Sequence, residues 1–152
     1  MNNNDILRQL RSALHLSDAE MADIYKEAGF AMNPATLPLL LKNEDEDGFI
    51  PCANQLLALF LDGLIIRLRG KKDLAAGQPP KAAAALDNNA ILKKLRIALD
   101  LKEDDMLAIM KLAGMPVSKG ALDPLFHAKG HKRYNECSDL FLQKFLQGIA
   151  MR

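Results

Sequence analysis

The chain has 152 residues, 49% of them apolar and 26% charged, with a formal net charge of +1. That composition belongs to an ordinary soluble globular protein and leaves no overall field to draw in nucleic acid or a membrane surface. The most apolar run, Leu56 to Ile66, carries Asp62 and Gly63 and is closed by Arg67 and Arg69, far short of the roughly 20 residues a membrane helix needs.

The N-terminus, MNNNDILRQL, lacks a basic stretch, an apolar run and a small-residue cleavage site, so a cytoplasmic location is expected. The first helix is expected to begin where Asn3 or Asn4 caps its amides and Asp5 faces the positive end of the dipole. Its buried face is Ile6, Leu7, Leu10, Ala13 and Leu14. Ser17 and Glu20 form a capping box for a second helix, with Met21, Ile24, Tyr25 and Ala28 on its face and Gly29 as its stop. Asn33-Pro34 opens a third element, which Pro38 keeps short or kinked. After a loop from Asn43 to Phe49, a fourth and longest helix starts near Pro51, with Leu56, Leu57, Phe60, Leu61 and Leu64 as its core face.

All of this then happens again. Asn88 to Gly114, NNAILKKLRIALDLKEDDMLAIMKLAG, replays Asn3 to Gly29 at a constant offset of 85 positions, and the offset runs on without a gap to Arg67 and Arg152. Of these 65 aligned pairs, 22 are identical, so the protein is a duplication. The predicted organisation is a first helical repeat at 1–70, a linker at 71–87 and a second helical repeat at 88–152. Each repeat alone is small enough to be marginal, so the two are expected to share a core. The linker, within RGKKDLAAGQPPKAAAALD, has no packing period and reads as extended or loosely helical. The predicted fold is all-α, two tandem copies of a roughly four-helix unit packed with pseudo-two-fold symmetry through their fourth helices. Gly63 and Gly148 occupy the same point of the two fourth helices, and a crossing of those helices would explain why glycine is kept there.

Chemistry is sparse. The loop Asn43-Glu44-Asp45-Glu46-Asp47-Gly48 imitates the start of a calcium loop, but Asn54 stands where the bidentate glutamate belongs. His127, His131 and Cys137 match no structural zinc spacing, and Cys52 and Cys137 read as small apolar core residues. No metal and no cofactor is expected. Glu103 to Lys129 resembles a helix-turn-helix only until Asp123-Pro124 interrupts the second helix. No nucleophile elbow, phosphate-cradling loop or dinucleotide fingerprint occurs, so no catalytic residues are assigned and no enzyme activity is expected.

What does stand out is charge. Met1 to Gly70 holds 6 Lys/Arg against 10 Asp/Glu, a net of −4, whereas Asn88 to Arg152 holds 11 against 7, a net of +4. The difference concentrates in equivalent loops: Glu44, Asp45, Glu46 and Asp47 align with Lys129, Gly130, His131 and Lys132, followed by Arg133 and Tyr134. Lys129, His131, Lys132, Arg133 and Tyr134 are the candidate site for an anionic partner, a protein or a nucleic acid; pairing with the acidic loop of a second molecule is the other use of the same charges. A non-enzymatic interaction or regulatory module is the leading expectation. A small-molecule or metal site between the repeats is the alternative.

The segments AILKKLRIALDLKEDDMLAIMKLAG and GHKRYNECSDLFLQKFLQGI, with ALFLDGLIIRLRGK in the first repeat, resemble the YehS-like bacterial family, a duplicated domain of unknown function. The resemblance covers nearly the whole chain. It implies a cytoplasmic bacterial protein with two copies of one domain, and it carries over neither an activity nor catalytic residues.

Overall fold

The computed structural model describes residues 1–71 and 86–152; of the expected linker, residues 72–85 lie outside the described residues. The described residues form helices and turns and no strand. In the first repeat these are α1 (Asn3–Ala13), α2 (Asp18–Glu27), α3 (Leu37–Leu40) and α4 (Asn54–Arg69); in the second, α5 (Asn88–Ala98), α6 (Glu103–Leu112), α7 (Lys119–Leu122), a 3-10 turn (Asp123–Phe126) and α8 (Asp139–Ala150).

The helix starts follow local chemistry, with one correction. Ser17 and Glu20 do form the capping box of α2, Ser17 Oγ accepting from Glu20 N–H and Glu20 from Ser17 N–H at 3.1 Å each. The cap of α1, however, is Asn2, in a capping box with Asp5, and the cap of α5 is Asp87. Asn3 and Asn4 were expected to cap and instead lie inside the first turn, where their amides reach across the fold. Asn4 is buried; its Nδ2 donates to Leu40 O at 2.9 Å and Ile50 O at 2.8 Å, and its Oδ1 accepts from Cys52 N–H at 2.9 Å. Asn89 repeats this with Leu125 O, Asn135 O and Cys137 N–H at 3.0, 2.8 and 2.8 Å. Asn3 and Asn88 donate to Cys52 O and Cys137 O. Those bonds hold the residues before the fourth helix extended, which is why α4 and α8 begin at Asn54 and Asp139, three residues after Pro51 and Glu136.

The ends of the first two helices share one device. Gly29 and Gly114 close α2 and α6 at φ +81° and +77°, as their sequence positions suggested. His15 and Asp100 close α1 and α5 in the same left-handed conformation, at φ +54° and +52°. Behind each, two amides turn back onto the last carbonyls, His15 N–H to Ser12 O and Leu16 N–H to Arg11 O in the first repeat. This is the six-to-one and five-to-two bonding of a Schellman cap.

Packing joins the repeats by exchange. The fourth helix of each repeat takes the first helix of the other, α4 against α5 and α1 against α8, while α1 with α4 and α5 with α8 make only slight contact. The expected meeting of the two fourth helices is therefore corrected to two reciprocal contacts of first with fourth helix. One continuous core results, running from Leu7, Leu10, Tyr25, Phe60 and Ile65 to Leu92, Leu95, Met106, Leu142 and Phe145. The α4–α5 contact also holds an ion pair, Lys94 Nζ to Asp62 Oδ1 at 2.5 Å, with the two side chains 9% and 17% exposed. Gln9 and Gln147 stand at the corresponding places on the other side of the pseudo-two-fold.

The paired glycines belong to a different crossing from the expected one. A Cβ on Gly63 would lie 1.9 Å from Ile24 O, and one on Gly148 would lie 2.3 Å from Ile109 O. In each repeat the fourth helix thus rests against the carbonyl edge of the second helix of its own repeat, at a distance only glycine permits. Gly63→Ala and Gly148→Ala are each expected to lower stability by about 1–3 kcal/mol, since backbone must move, whereas Gly120→Ala, with nothing nearer than Ser118 Oγ at 3.9 Å, should be neutral or stabilising. Denaturant melts of the three variants check this. For the ion pair, Lys94→Gln alone should cost about 1–3 kcal/mol, because it replaces the charged donor to the half-buried Asp62 carboxylate with a neutral one. The double variant Lys94→Gln/Asp62→Gln, which copies the other contact, should recover most of the loss.

Candidate functional site

The two charged loops stand on equivalent scaffolds. In the first repeat the Asn4 amide fixes Leu40 O and Ile50 O, and Ile50 N–H bonds to Leu39 O. In the second the Asn89 amide fixes Leu125 O and Asn135 O, and Asn135 N–H bonds to Pro124 O. An asparagine, buried in the first repeat and half-buried in the second, thus sets the base of each loop, and the loop between is left to diverge.

The acidic loop is closed by its own atoms. Glu46 accepts from Asn43 N–H and Asn43 Nδ2 at 2.9 Å each, and the backbone bond from Asn43 holds its carboxyl below the usual range. Lys42 Nζ donates to Asp47 O at 2.5 Å, and Gly48 turns the chain at φ +84°. Glu44, Asp45, Glu46 and Asp47 are all exposed. Asn54, at the place of the missing calcium-ligand glutamate, opens α4 and accepts from Asn3 Nδ2 at 2.7 Å.

The basic loop is built around two histidines. The rings of His127 and His131 stack at 4.3 Å and 5°, and His131 Nδ1 accepts from Arg133 N–H at 3.0 Å. Tyr134 N–H donates to His131 O and His131 N–H to Ala128 O, each at 2.9 Å. His127 Nε2 lies 3.2 Å from Asp123 Oδ2, near enough to ion-pair when protonated, though outside hydrogen-bond geometry. Lys129, His131, Lys132 and Arg133 are exposed and Tyr134 is half-buried. None of the three cations makes an ion pair among the described residues. Parallel stacking aims the in-plane lone pairs of the two imidazoles side by side, a poor arrangement for one shared metal ion. Among the described residues no three His, Cys, Asp or Glu side chains group to hold a metal.

The helix-turn-helix resemblance ends at α7, which is four residues long before Asp123-Pro124 turns it into the 3-10 segment. That is too short to present a recognition surface to a groove. Phe126 at the end of this segment lies under the Arg96 guanidinium at 4.6 Å, a cation–π contact that braces the loop from α5. Three open clefts, of about 440, 490 and 420 Å³, are lined by first-repeat residues and Lys71, not by the two repeats together.

Two functional-looking features escaped the sequence reading. The asparagines were visible as an identical NN pair in both repeats, but their partners lie 36 to 51 residues away. The Lys94–Asp62 pair had no signal, because neither residue has a charged equivalent to match.

Cys52 and Cys137 are buried and free. Burial pushes the Cys52 thiol up to about 11, and burial with Asp139 and Asp87 nearby pushes Cys137 up to about 12. Both stay protonated thiols near neutrality. Because the folded values lie above the ordinary value of 9.0, this protonation favours folding below pH 9, and the contribution is lost as pH rises through the folded values. Two outcomes follow: neither thiol should react with a disulfide reagent at pH 8 until the protein is unfolded, and stability should fall between about pH 9 and 12, less steeply in Cys52→Ala and Cys137→Ala.

Comparison with known proteins adds a family and no activity. The family model described as "protein of unknown function (DUF1456)" matches residues 3–70 and again residues 88–152, the two repeats. The "uncharacterized protein YehS" of Escherichia coli (strain K12) is 38% identical over 152 residues, covering 100% of this chain and 96% of that one. No solved structure matches. With both repeats matched separately and a relative aligned end to end, the chain belongs to the DUF1456 family of duplicated helical proteins.

Proposed function

We propose that the protein is a non-enzymatic interaction module whose working surface is the basic loop of the second repeat, and that it binds an anionic macromolecular partner there. The observation that carries this reading is the display of Lys129, Lys132 and Arg133 on a backbone already ordered by Asn89 and His131. The cations are exposed and unpaired among the described residues, so no internal partner competes for them, and with the backbone already ordered the entropy lost on binding is that of the side chains. The half-buried Tyr134 beside these cations is the aromatic side chain that would stack on an unpaired base.

A second use of the same surface is favoured by the equivalent acidic loop, which is also exposed and internally braced. Basic loop to acidic loop of another molecule would be a head-to-tail contact, weakening as salt screens it. The alternative of a ligand site between the repeats draws no support from these three clefts, each lined by first-repeat residues with or without Lys71.

The test is a charge reversal, Lys129→Glu/Lys132→Glu/Arg133→Glu, assayed for single-stranded RNA, duplex DNA and self-association at low salt. Binding through three phosphate contacts should show a log–log salt slope of about −2 for a single strand and about −3 for a duplex, and the variant should abolish it. Self-association that is lost in the variant assigns the surface to the acidic loop of a second copy. If none of the three responds to the reversal, the loop has no electrostatic role and the reading fails.

A further inference from the structure

The first repeat carries a cleft that the second does not match in chemistry. It has a volume of about 420 Å³ and is lined by Arg8, Arg11, Ser12, His15 and Leu16. The first four of these occupy one stripe of α1 and its cap, at helical spacing. We infer that this cleft is a binding site for the phosphate group of a small phosphorylated molecule, distinct from the basic loop.

Both guanidinium groups are held before any ligand arrives. Arg8 Nη1 donates to Leu41 O and Lys42 O at 3.3 and 3.2 Å, and its Nη2 meets Asp5 Oδ1 at 2.5 Å. Arg11 Nε donates to Leu16 O at 3.2 Å, and its Nη2 meets Asp18 Oδ1 at 2.9 Å. These anchors consume part of the donor fork of each arginine. Arg8 Nε–H and one Nη2 hydrogen remain, as do both Nη1 hydrogens and one Nη2 hydrogen of Arg11, together with the Ser12 hydroxyl and an N–H of the His15 imidazole. Fixed forks with spare donors suit a phosphate, which takes several bonds at once.

The helix end would normally oppose an anion, because unsatisfied carbonyls gather there. Here Arg11 O and Ser12 O are already taken by Leu16 N–H and His15 N–H. Asp5 and Asp18 offset part of the arginine charge, so recognition rests on donor geometry as much as on net charge. His15 reaches its place only by adopting φ +54°, a conformation glycine would fill at lower cost. Leu16 gives the cleft an apolar wall, and the volume exceeds what a bare phosphate needs, leaving room for a small organic group.

Duplication supplies an internal comparison. The places of Arg8, Arg11, Ser12 and His15 are taken in the second repeat by Lys93, Arg96, Ile97 and Asp100. Arg96 keeps the structural bond, Nε to Leu101 O at 3.1 Å. What differs is Ser12 against Ile97 and His15 against Asp100: two donors in the first repeat stand where the second has an apolar side chain and a carboxylate. Asp100 pairs instead with Arg69 at 3.4 Å.

The comparison also dictates the test. His15→Asp and Ser12→Ile introduce residues that the fold already accepts at the equivalent place, in the same cap conformation, so folding is preserved and can be confirmed by thermal melting. Calorimetric titration with inorganic phosphate and with glycerol 3-phosphate should give saturable one-to-one binding to the wild type, tighter for the ester. His15→Asp should weaken it at least tenfold and Ser12→Ile several-fold, while the Lys129/Lys132/Arg133 charge reversal leaves it unchanged. No saturable binding of either probe, binding indifferent to His15→Asp, or binding lost only in the charge reversal would each overturn the assignment. Saturable binding of inorganic phosphate with none of the ester would overturn the reading of the cleft as a site for a phosphorylated organic molecule.

Discussion

The structure depends on an exchange of helices. Each repeat presents its first helix to the fourth helix of the other, and each fourth helix lies against the second helix of its own repeat. A 65-residue unit buries too small a share of its surface to be comfortable alone. Sharing turns two marginal units into one core, in which Leu7, Leu10, Ile24, Phe60, Leu92, Leu95, Met106, Leu142 and Phe145 are all essentially inaccessible. The two glycines follow from this arrangement. With one face given to the partner repeat, the fourth helix must approach the second closely on another face, and the carbonyls of Ile24 and Ile109 occupy the space where a Cβ would be.

The polar interactions divide the labour differently. Asn4 and Asn89 satisfy equivalent backbone groups at the base of the loops, among them the amides of the buried Cys52 and Cys137. A buried carbonyl or amide left without a partner is costly, so this part of the scaffold resists drift. The ion pair between Lys94 and Asp62 is of the other kind. It exists at one of the two helix-exchange contacts, where the second has glutamines. Such a pair adds little net stability over a neutral contact and penalises the wrong partner. It distinguishes α4 with α5 from the pairings that two identical repeats would make, and so favours one arrangement of the halves.

Surface positions followed neither rule. The loop between Asn43 and Phe49 and its equivalent between Ala128 and Tyr134 share a base and differ in sign. Exposed charges contribute little to folding, so a duplicated surface is free to take on separate roles while the framework beneath it is kept. The α1 cleft and the basic loop are both places where one repeat has groups its twin lacks, the donors Ser12 and His15 in the first and the cations Lys129, Lys132 and Arg133 in the second. Divergence on a constant scaffold is what makes such places legible in a protein whose relatives carry no assigned activity.

The duplication, the helix count among the described residues, the capping box at Ser17 and the glycine stops at Gly29 and Gly114 were all determined by the sequence itself, because each is a signal spread over a few neighbouring residues or repeated at a fixed offset. The sign of the two loops was legible for the same reason. Tertiary structure alone decided the rest. Asn3 and Asn4 look like caps until their partners some 40 residues on are known, and Asn2 takes the capping role that nothing local denied to its neighbours. Gly63 and Gly148 announce a close approach without naming what approaches. His15 and Asp100 close their helices without the glycine that would have marked the turn. Which helix meets which is a property of the whole core, since several pairings bury similar apolar stripes and only their combined packing selects one.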